Sequence, residues 1–435
     1  MTKRKIFDDV AKCLLDLDQH VLADLSQRLE SGEQVKAGTE EEKTCYNVLK
    51  DLDHIGGHVS GSITSKKYMR NEIWSLTAFK GAPSWYITLS PADNKHPLCL
   101  YFADTKTTFS PELRLEDDCL RLISENPVAG ARFFHLMISA FIEHVLGVKD
   151  TEDGFKRKNG LFGKTSAYYG TVEQQGRLTL HLHMLLWIKN SFTPQEIQDK
   201  IMDPNSDFQR KIVEYLEGVH IGEFMTGSHE AVQQMVNKAM VSDEYKDPTQ
   251  TLPESPPKPC SKQSCCMSSC LRCKSIKQWR SKYKFTVDDI LLRSNIHTCR
   301  GGPRELKLKT AKNKGKSRNH KEKYTPYTGC KSNKFGKCKA RFPRKVFEQT
   351  MVNPNTGALD IKKGEQWMNT TAPLLTYLFR CNTDVTSLLS GDSYQGCCCI
   401  HIRLYHKPSL KTYVVFDTIQ SVFDKNSEIL GGTMD

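Results

Sequence analysis

Between residues 168 and 188 the pattern of apolar and polar side chains predicts a hairpin. Tyr168 to Gln175 reads as one strand, Gly176-Arg177 as a turn, and Leu180 to Ile188 as a second, very apolar strand. Successive strand residues face opposite sides, so His181 and His183 share a face, as do Glu173 and Gln175 on the preceding strand. Helical spacing dominates elsewhere. Residues 1–67 read as a polar helical segment with apolar positions at Val10, Leu14, Leu15, Val21, Leu22 and Leu25. Residues 191–247 also read as helical, opening on Thr193-Pro194-Gln195-Glu196: a threonine cap, a proline in the first position and a glutamate in the third. Leu252-Pro253-Glu254-Ser255-Pro256-Pro257-Lys258-Pro259 has the composition of a linker. No internal repeat is evident.

A chain of 435 residues has room for two or three domains and a sizeable core. No apolar run approaches the ~20 residues that a membrane helix needs. Met1-Thr2-Lys3-Arg4-Lys5-Ile6 lacks the apolar core of a secretory signal. No membrane partner is therefore expected, and the sixteen cysteines read as reduced thiols and metal ligands rather than disulfides. Charge is concentrated: residues 301–350 hold sixteen Lys or Arg against three Glu, a local net of +13 beside +12 for the whole chain. Such a block is a solvated loop or a polyanion-binding arm. Nuclear localisation and contact with a phosphate backbone both suit it, and composition does not separate them.

Three groups of residues carry candidate chemistry. His181 and His183, with Glu173 or Gln175 opposite, form a plausible divalent-metal site with open positions; a hydrogen-bonded or solvated sheet face is the alternative. Cys260, Cys265, Cys266, Cys270 and Cys273 are closely but irregularly spaced, which suits either zinc or a loop with idle thiols. His297, Cys299, Cys330 and Cys338 make a complete tetrahedral zinc set, although thirty residues separate the two pairs. Buried cysteines of a small core are the alternative there. Zinc would tie down both ends of the basic arm, because Cys299 and Cys330 flank it.

The segment Val172-Glu173-Gln174-Gln175 followed by His181-Leu182-His183-Met184-Leu185-Leu186-Trp187 resembles the replication-initiator domain of Helitron transposons, an HUH endonuclease. Gly81-Ala82-Pro83-Ser84-Trp85-Tyr86-Ile87-Thr88-Leu89-Ser90-Pro91-Ala92-Asp93 is similar to that family's first conserved strand. Asn126-Pro127-Val128-Ala129 and a helix from Arg132 to Leu146 are similar to its next element. The family also has a His-Cys…Cys…Cys arrangement ending in a basic Phe-Pro segment, here Lys339-Ala340-Arg341-Phe342-Pro343.

The resemblance implies an α+β fold with an HUH-type core: a central antiparallel sheet flanked by helices, with a zinc-binding-like region and a helical N-terminal segment. The domains expected are 1–67 (helical segment), 68–247 (nicking core with helical extension), 248–275 (Pro/Cys-rich linker), 276–350 (basic zinc-finger-like region) and 351–435 (C-terminal part of the initiator). It further implies nicking and joining of single-stranded DNA, with Mg²⁺ or Mn²⁺ on His181, His183, Glu173 and Gln175, structural Zn²⁺, and a tyrosine nucleophile that ends as a 5′-phosphotyrosine.

The chain departs from the family at that nucleophile. Tyr-x-x-x-Tyr-x-x-Lys on one helix would put both hydroxyls on one face. It should follow Arg380-Cys381-Asn382-Thr383-Asp384-Val385-Thr386-Ser387-Leu388-Leu389-Ser390-Gly391, but Gly396-Cys397-Cys398-Cys399-Ile400-His401 and Tyr405 stand there instead. One permitted set of codons for this stretch, read one nucleotide later, gives Ala-Val-Val-Ala-Tyr-Ile-Ser-Asp-Tyr-Ile-Thr, which restores the paired tyrosines. Residues 392–407 are thus expected to be out of frame, with Tyr405 a doubtful nucleophile. The Gly-x-x-x-x-Gly-Lys-Ser/Thr phosphate loop is not found, so no nucleoside triphosphate, ATPase or helicase activity is expected. Three classes of function remain: a metal-dependent nickase, a DNA-binding remnant that has lost its nucleophile, and a zinc-dependent interaction module.

Overall fold

The computed structural model describes residues 17–31, 33, 35, 37–56, 63–104, 109, 115–152, 154–174, 179–203, 205–260, 270–300, 329–331, 336–353, 355, 357–389, 419 and 421. Gln175, Cys265, Cys266, most of the basic block and Tyr405 lie outside the described residues, and so does the whole segment expected to be out of frame, 392–407. Eleven α-helices and three antiparallel sheets are present among the described residues, an α+β architecture. The chain divides into two units, 1–81 with 395–435, and 82–394.

The first unit holds α1 (Gln19–Glu30), α2 (Glu40–Gly56) and α3 (Ile63–Lys80). Asp18 caps α1 by accepting from the backbone N–H groups of His20 and Val21. Leu22 and Leu25, one turn apart, are fully buried with Cys45 and Val48 of α2. The sequence-based boundary at 67/68 falls inside α3.

The second unit is built on a four-stranded sheet, ordered β4-β5-β1-β8. Its strands are β1 (Trp85–Ser90), β4 (Thr165–Gln174), β5 (Leu180–Ile188) and β8 (Asn382–Ser387); β2 (Val148–Thr151) and β3 (Gly154–Arg157) form a separate ribbon, as do β6 (Met351–Val352) and β7 (Leu359–Asp360). The helices are α4 (Pro97–Ala103), α5 (Glu116–Glu125), α6 (Pro127–Ala140), α7 (Pro194–Met202), α8 (Phe208–Val219), α9 (His229–Met240), α10 (Leu271–Ser294) and α11 (Pro373–Phe379). Helix α6 runs on into one π-turn, Phe141–Val145.

Strand β5 is central, which explains its apolar run. Leu182, Met184 and Leu186 join Trp85, Ile87 and Leu89 of β1 and Phe133 and Met137 of α6 in the main core. Toward its C-terminal end the opposite face is also covered, with Leu185 and Trp187 buried. Polar residues appear on that second face only in the other half of the strand, at His181 and His183. Gly170 of β4 pairs with Met184, and a Cβ there would sit 3.0 Å from Leu182 Cδ1, a tight contact that would make the leucine side chain shift. Trp85 is wholly buried and donates its Nε1–H to Tyr215 Oη at 2.9 Å. Helix α7 has the capping box expected from its sequence: Thr193 Oγ1 accepts from Glu196 N, and Glu196 Oε2 accepts from Thr193 N.

Candidate metal centres

The register of the sheet assembles one polar face. Glu173 lies opposite His181, and Thr171 opposite His183. Thr88 of β1 pairs with His183 on one side and with Asp384 of β8 on the other. Strand parity puts all of these, with Tyr86, on the same side of the sheet.

His183 is the organised member of the group. Its Nδ1 lies 3.0 Å from Tyr86 Oη and 3.1 Å from Thr88 Oγ1. The Tyr86 and His183 rings stack at 6.1 Å with an interplanar angle of 13°. In the Nδ1–H tautomer the ring donates to one of these hydroxyl oxygens and leaves the lone pair of Nε2 bare. That Nε2 is buried, has no hydrogen-bond partner, and stands 3.6 Å from Glu173 Oε2. An orphaned buried nitrogen facing a carboxylate fits a metal ligand held by partners on its other nitrogen. Burial pushes the His183 pKa below the ordinary value, with His181 acting the same way and Glu173 opposing, so the ring stays neutral and able to coordinate.

His181 is turned so that Nδ1 lies 3.1 Å from the carbonyl oxygen of Thr179. Glu173, His181 and His183 are not among the sets whose ligand atoms all lie within 4.8 Å of one another in the described residues. Sequence reasoning missed four neighbours: Tyr86, Thr88, Thr171 and Asp93. Thr171 Oγ1 is buried without a hydrogen-bond partner. The Asp93 carboxyl is pushed up by burial, while the N–H of Asn94 and the nearby His181 favour its charged form. Strand parity alone could have selected Tyr86 and Thr88, had the pairing of β1 with β5 been known.

The second group converges fully. The ligand atoms of His297, Cys299, Cys330 and Cys338 all lie within 4.8 Å of one another, and His297 Nε2 is 3.3 Å from Cys338 Sγ. Backbone turns present these residues: Lys331 N donates to Arg300 O, Lys339 N to Cys330 O, and Arg341 N to Cys338 O. One nitrogen and three sulfurs at these separations suit tetrahedral zinc.

Direct contacts lead from this group to the sheet. His297 stacks on Phe342, with centroids 4.4 Å apart, and the Arg344 guanidinium lies over the same ring at 4.8 Å. Arg344 Nη2 donates to Asn369 Oδ1, and Asn369 Nδ2 donates to Asp384 Oδ2 on β8 at 2.8 Å. Burial raises the Asp384 pKa to about 6, against the pull of Thr386, Arg344, Lys363 and Asn369.

Together the fold and these sites define an α+β protein with Cys/His groups that can hold metal ions. Residues 11–186 match the family described as the Helitron helicase-like domain at the N-terminus. That match covers the first sheet strands and the His181/His183 pair, and it supports a Helitron-related function. No curated protein and no solved structure matches the chain.

Proposed function

We propose that the chain carries a Helitron-type initiator core that nicks and rejoins single-stranded DNA, with a divalent ion held by His181, His183 and Glu173. Gln175, two positions further in the sequence, is the further ligand in this reading. The observation that carries it is the bare, buried Nε2 of His183 facing Glu173 across the hairpin. Mg²⁺ or Mn²⁺ bound there supplies Lewis-acid polarisation of a phosphate oxygen. The chain does the rest: Tyr86 and Thr88 orient the His183 ring, burial keeps it neutral, and the Glu173 carboxylate offsets positive charge. A tyrosine oxygen forms a bond to phosphorus as the P–O3′ bond breaks. The phenolic proton is lost, the 3′ oxygen gains one, and rejoining runs the same steps backwards. A nuclear site of action accords with a DNA substrate and the basic block.

A second reading has its own support, because the paired-tyrosine motif is absent. In that reading the chain binds single-stranded DNA and metal but lacks a competent nucleophile. Covalent capture separates the two. The full chain is mixed with labelled single-stranded DNA and Mn²⁺ and run on a denaturing gel, beside a variant whose residues 397–406 carry Val-Val-Ala-Tyr-Ile-Ser-Asp-Tyr-Ile-Thr. An adduct with the unaltered chain, lost in Tyr405→Phe and His181→Ala, means a working nickase. An adduct in the repaired variant alone, abolished by His181→Ala, means an intact site without its nucleophile. No adduct in either, with Mn²⁺ binding unchanged by His183→Ala, overturns the proposal.

A further inference from the structure

Cys260, Cys270 and Cys273 lie outside the sites used above, and none of them is in a disulfide. Cys260 ends the proline-rich stretch, Cys270 is the N-cap of α10, and Cys273 is the third residue of that helix. Nine residues separate the first and second of these in the sequence, yet their sulfurs are 3.9 Å apart. All three sulfurs fall within 4.8 Å of one another.

That separation excludes a disulfide and matches two sulfurs that share one ion. A disulfide needs about 2.05 Å between sulfurs, so 3.9 Å is too long for one. Thiolates sharing one tetrahedral zinc at ~2.3 Å must stand about 3.8 Å apart, the edge of the tetrahedron. The surroundings are electropositive as well. Cys270 makes no side-chain capping bond at the start of a 24-residue helix, whose first N–H groups attract negative charge. Exposed Arg272, Lys274 and Lys277 add cationic charge around the same turn.

We infer that Cys260, Cys270 and Cys273 form a second thiolate metal site, taking a soft divalent ion of the zinc class. It is distinct from the His297 group and from the His181/His183 face. The ion fastens the proline-rich stretch to the start of α10. That stretch is otherwise attached further along: Trp279 Nε1 donates to Glu254 O at 3.4 Å, Tyr377 Oη donates to the same carbonyl at 2.9 Å, and Lys282 pairs with Glu254 at 2.5 Å. The metal thus fixes the N-terminal half of α10, whose cations face solvent. Sulfur-only donors select against Mg²⁺ and Mn²⁺, so this site does not compete for the nicking ion.

The test is a metal count on the full chain, purified with zinc and dialysed against excess Mg²⁺, then repeated with cobalt to read sulfur-to-cobalt charge-transfer absorbance. Two thiolate-bound ions per chain are expected, falling to one in Cys270→Ser/Cys273→Ser and to one in Cys299→Ser/Cys338→Ser. A count unchanged by Cys270→Ser/Cys273→Ser overturns the inference. Should that double variant fail to fold, Cys260→Ser leaves the helix start intact. It is expected to weaken cobalt binding at one of two equivalents at least tenfold, and an unaltered titration overturns the inference equally. Neither readout involves DNA cleavage, so the result is independent of the nicking proposal.

Discussion

His183 shows how a single side chain acquires a role from its surroundings. Two hydroxyls lie at one ring nitrogen, and the other nitrogen is buried and bare. Partners that orient a metal-bound imidazole commonly change affinity 10- to 100-fold when removed. Tyr86→Phe/Thr88→Val is therefore expected to weaken Mn²⁺ binding by about that factor, read by titration calorimetry, with the far-UV circular dichroism unchanged. Equal affinity in the double variant would mean that the hydroxyls merely fill space. His181, Glu173 and His183 were legible as one face from period-two alternation. Tyr86 and Thr88 were not, because they come from a strand about a hundred residues earlier.

At the level of helices and strands, α4 carries the clearest pH dependence. His96 caps it, Nδ1 accepting from Leu98 N at 3.3 Å, and is almost wholly buried. Burial, with help from Arg380, lowers its pKa from 6.5 to about 4. Below pH 6.5 the unfolded chain takes up this proton and the folded chain does not, so stability from His96 falls as pH drops toward 4. At ~1.4 kcal/mol per pH unit the loss over that window is about 3 kcal/mol. Asp384 works in the opposite sense: its folded pKa is raised from 3.8 to about 6, so its contribution is present at low pH and fades as pH rises. The two slopes overlap, and a variant isolates one of them. His96→Asn keeps a capping side chain but removes the titration. Urea unfolding at pH 7 and pH 4.5 is expected to show less acid destabilisation in the variant than in the parent. Parallel losses would show that His96 is not held neutral.

Over the whole second unit, convergence of distant segments matters most. The thiolate group around His297 draws together residues on both sides of the basic block, with Lys331 N donating to Arg300 O at 3.0 Å. If that block binds a nucleic-acid backbone, each phosphate it ceases to neutralise lowers the salt slope by about 0.7 for a single strand. Replacing Lys307, Lys309, Lys312, Lys314 and Lys316 with Gln is expected to weaken single-stranded DNA binding and to flatten log K against log salt, measured by fluorescence anisotropy. An unchanged slope would favour the interaction-module reading. Among the described residues no helix is long and apolar enough to cross a membrane.

The sequence by itself determined what is local. Alternation defined the β4–β5 hairpin, the Thr193-Pro194-Gln195-Glu196 run set the start of α7, and the inventory of His and Cys named the metal candidates. Each of these follows from periodicity or capping within a few residues, where backbone geometry dictates which side chains are neighbours. Tertiary structure alone decided that β8 pairs with β1, that Trp85 is core, that the bare nitrogen of His183 faces Glu173, and that Cys260 meets Cys270 and Cys273. Those outcomes depend on pairings between segments far apart in the chain. Such pairings are selected by the burial of both partners at once, which no local pattern records.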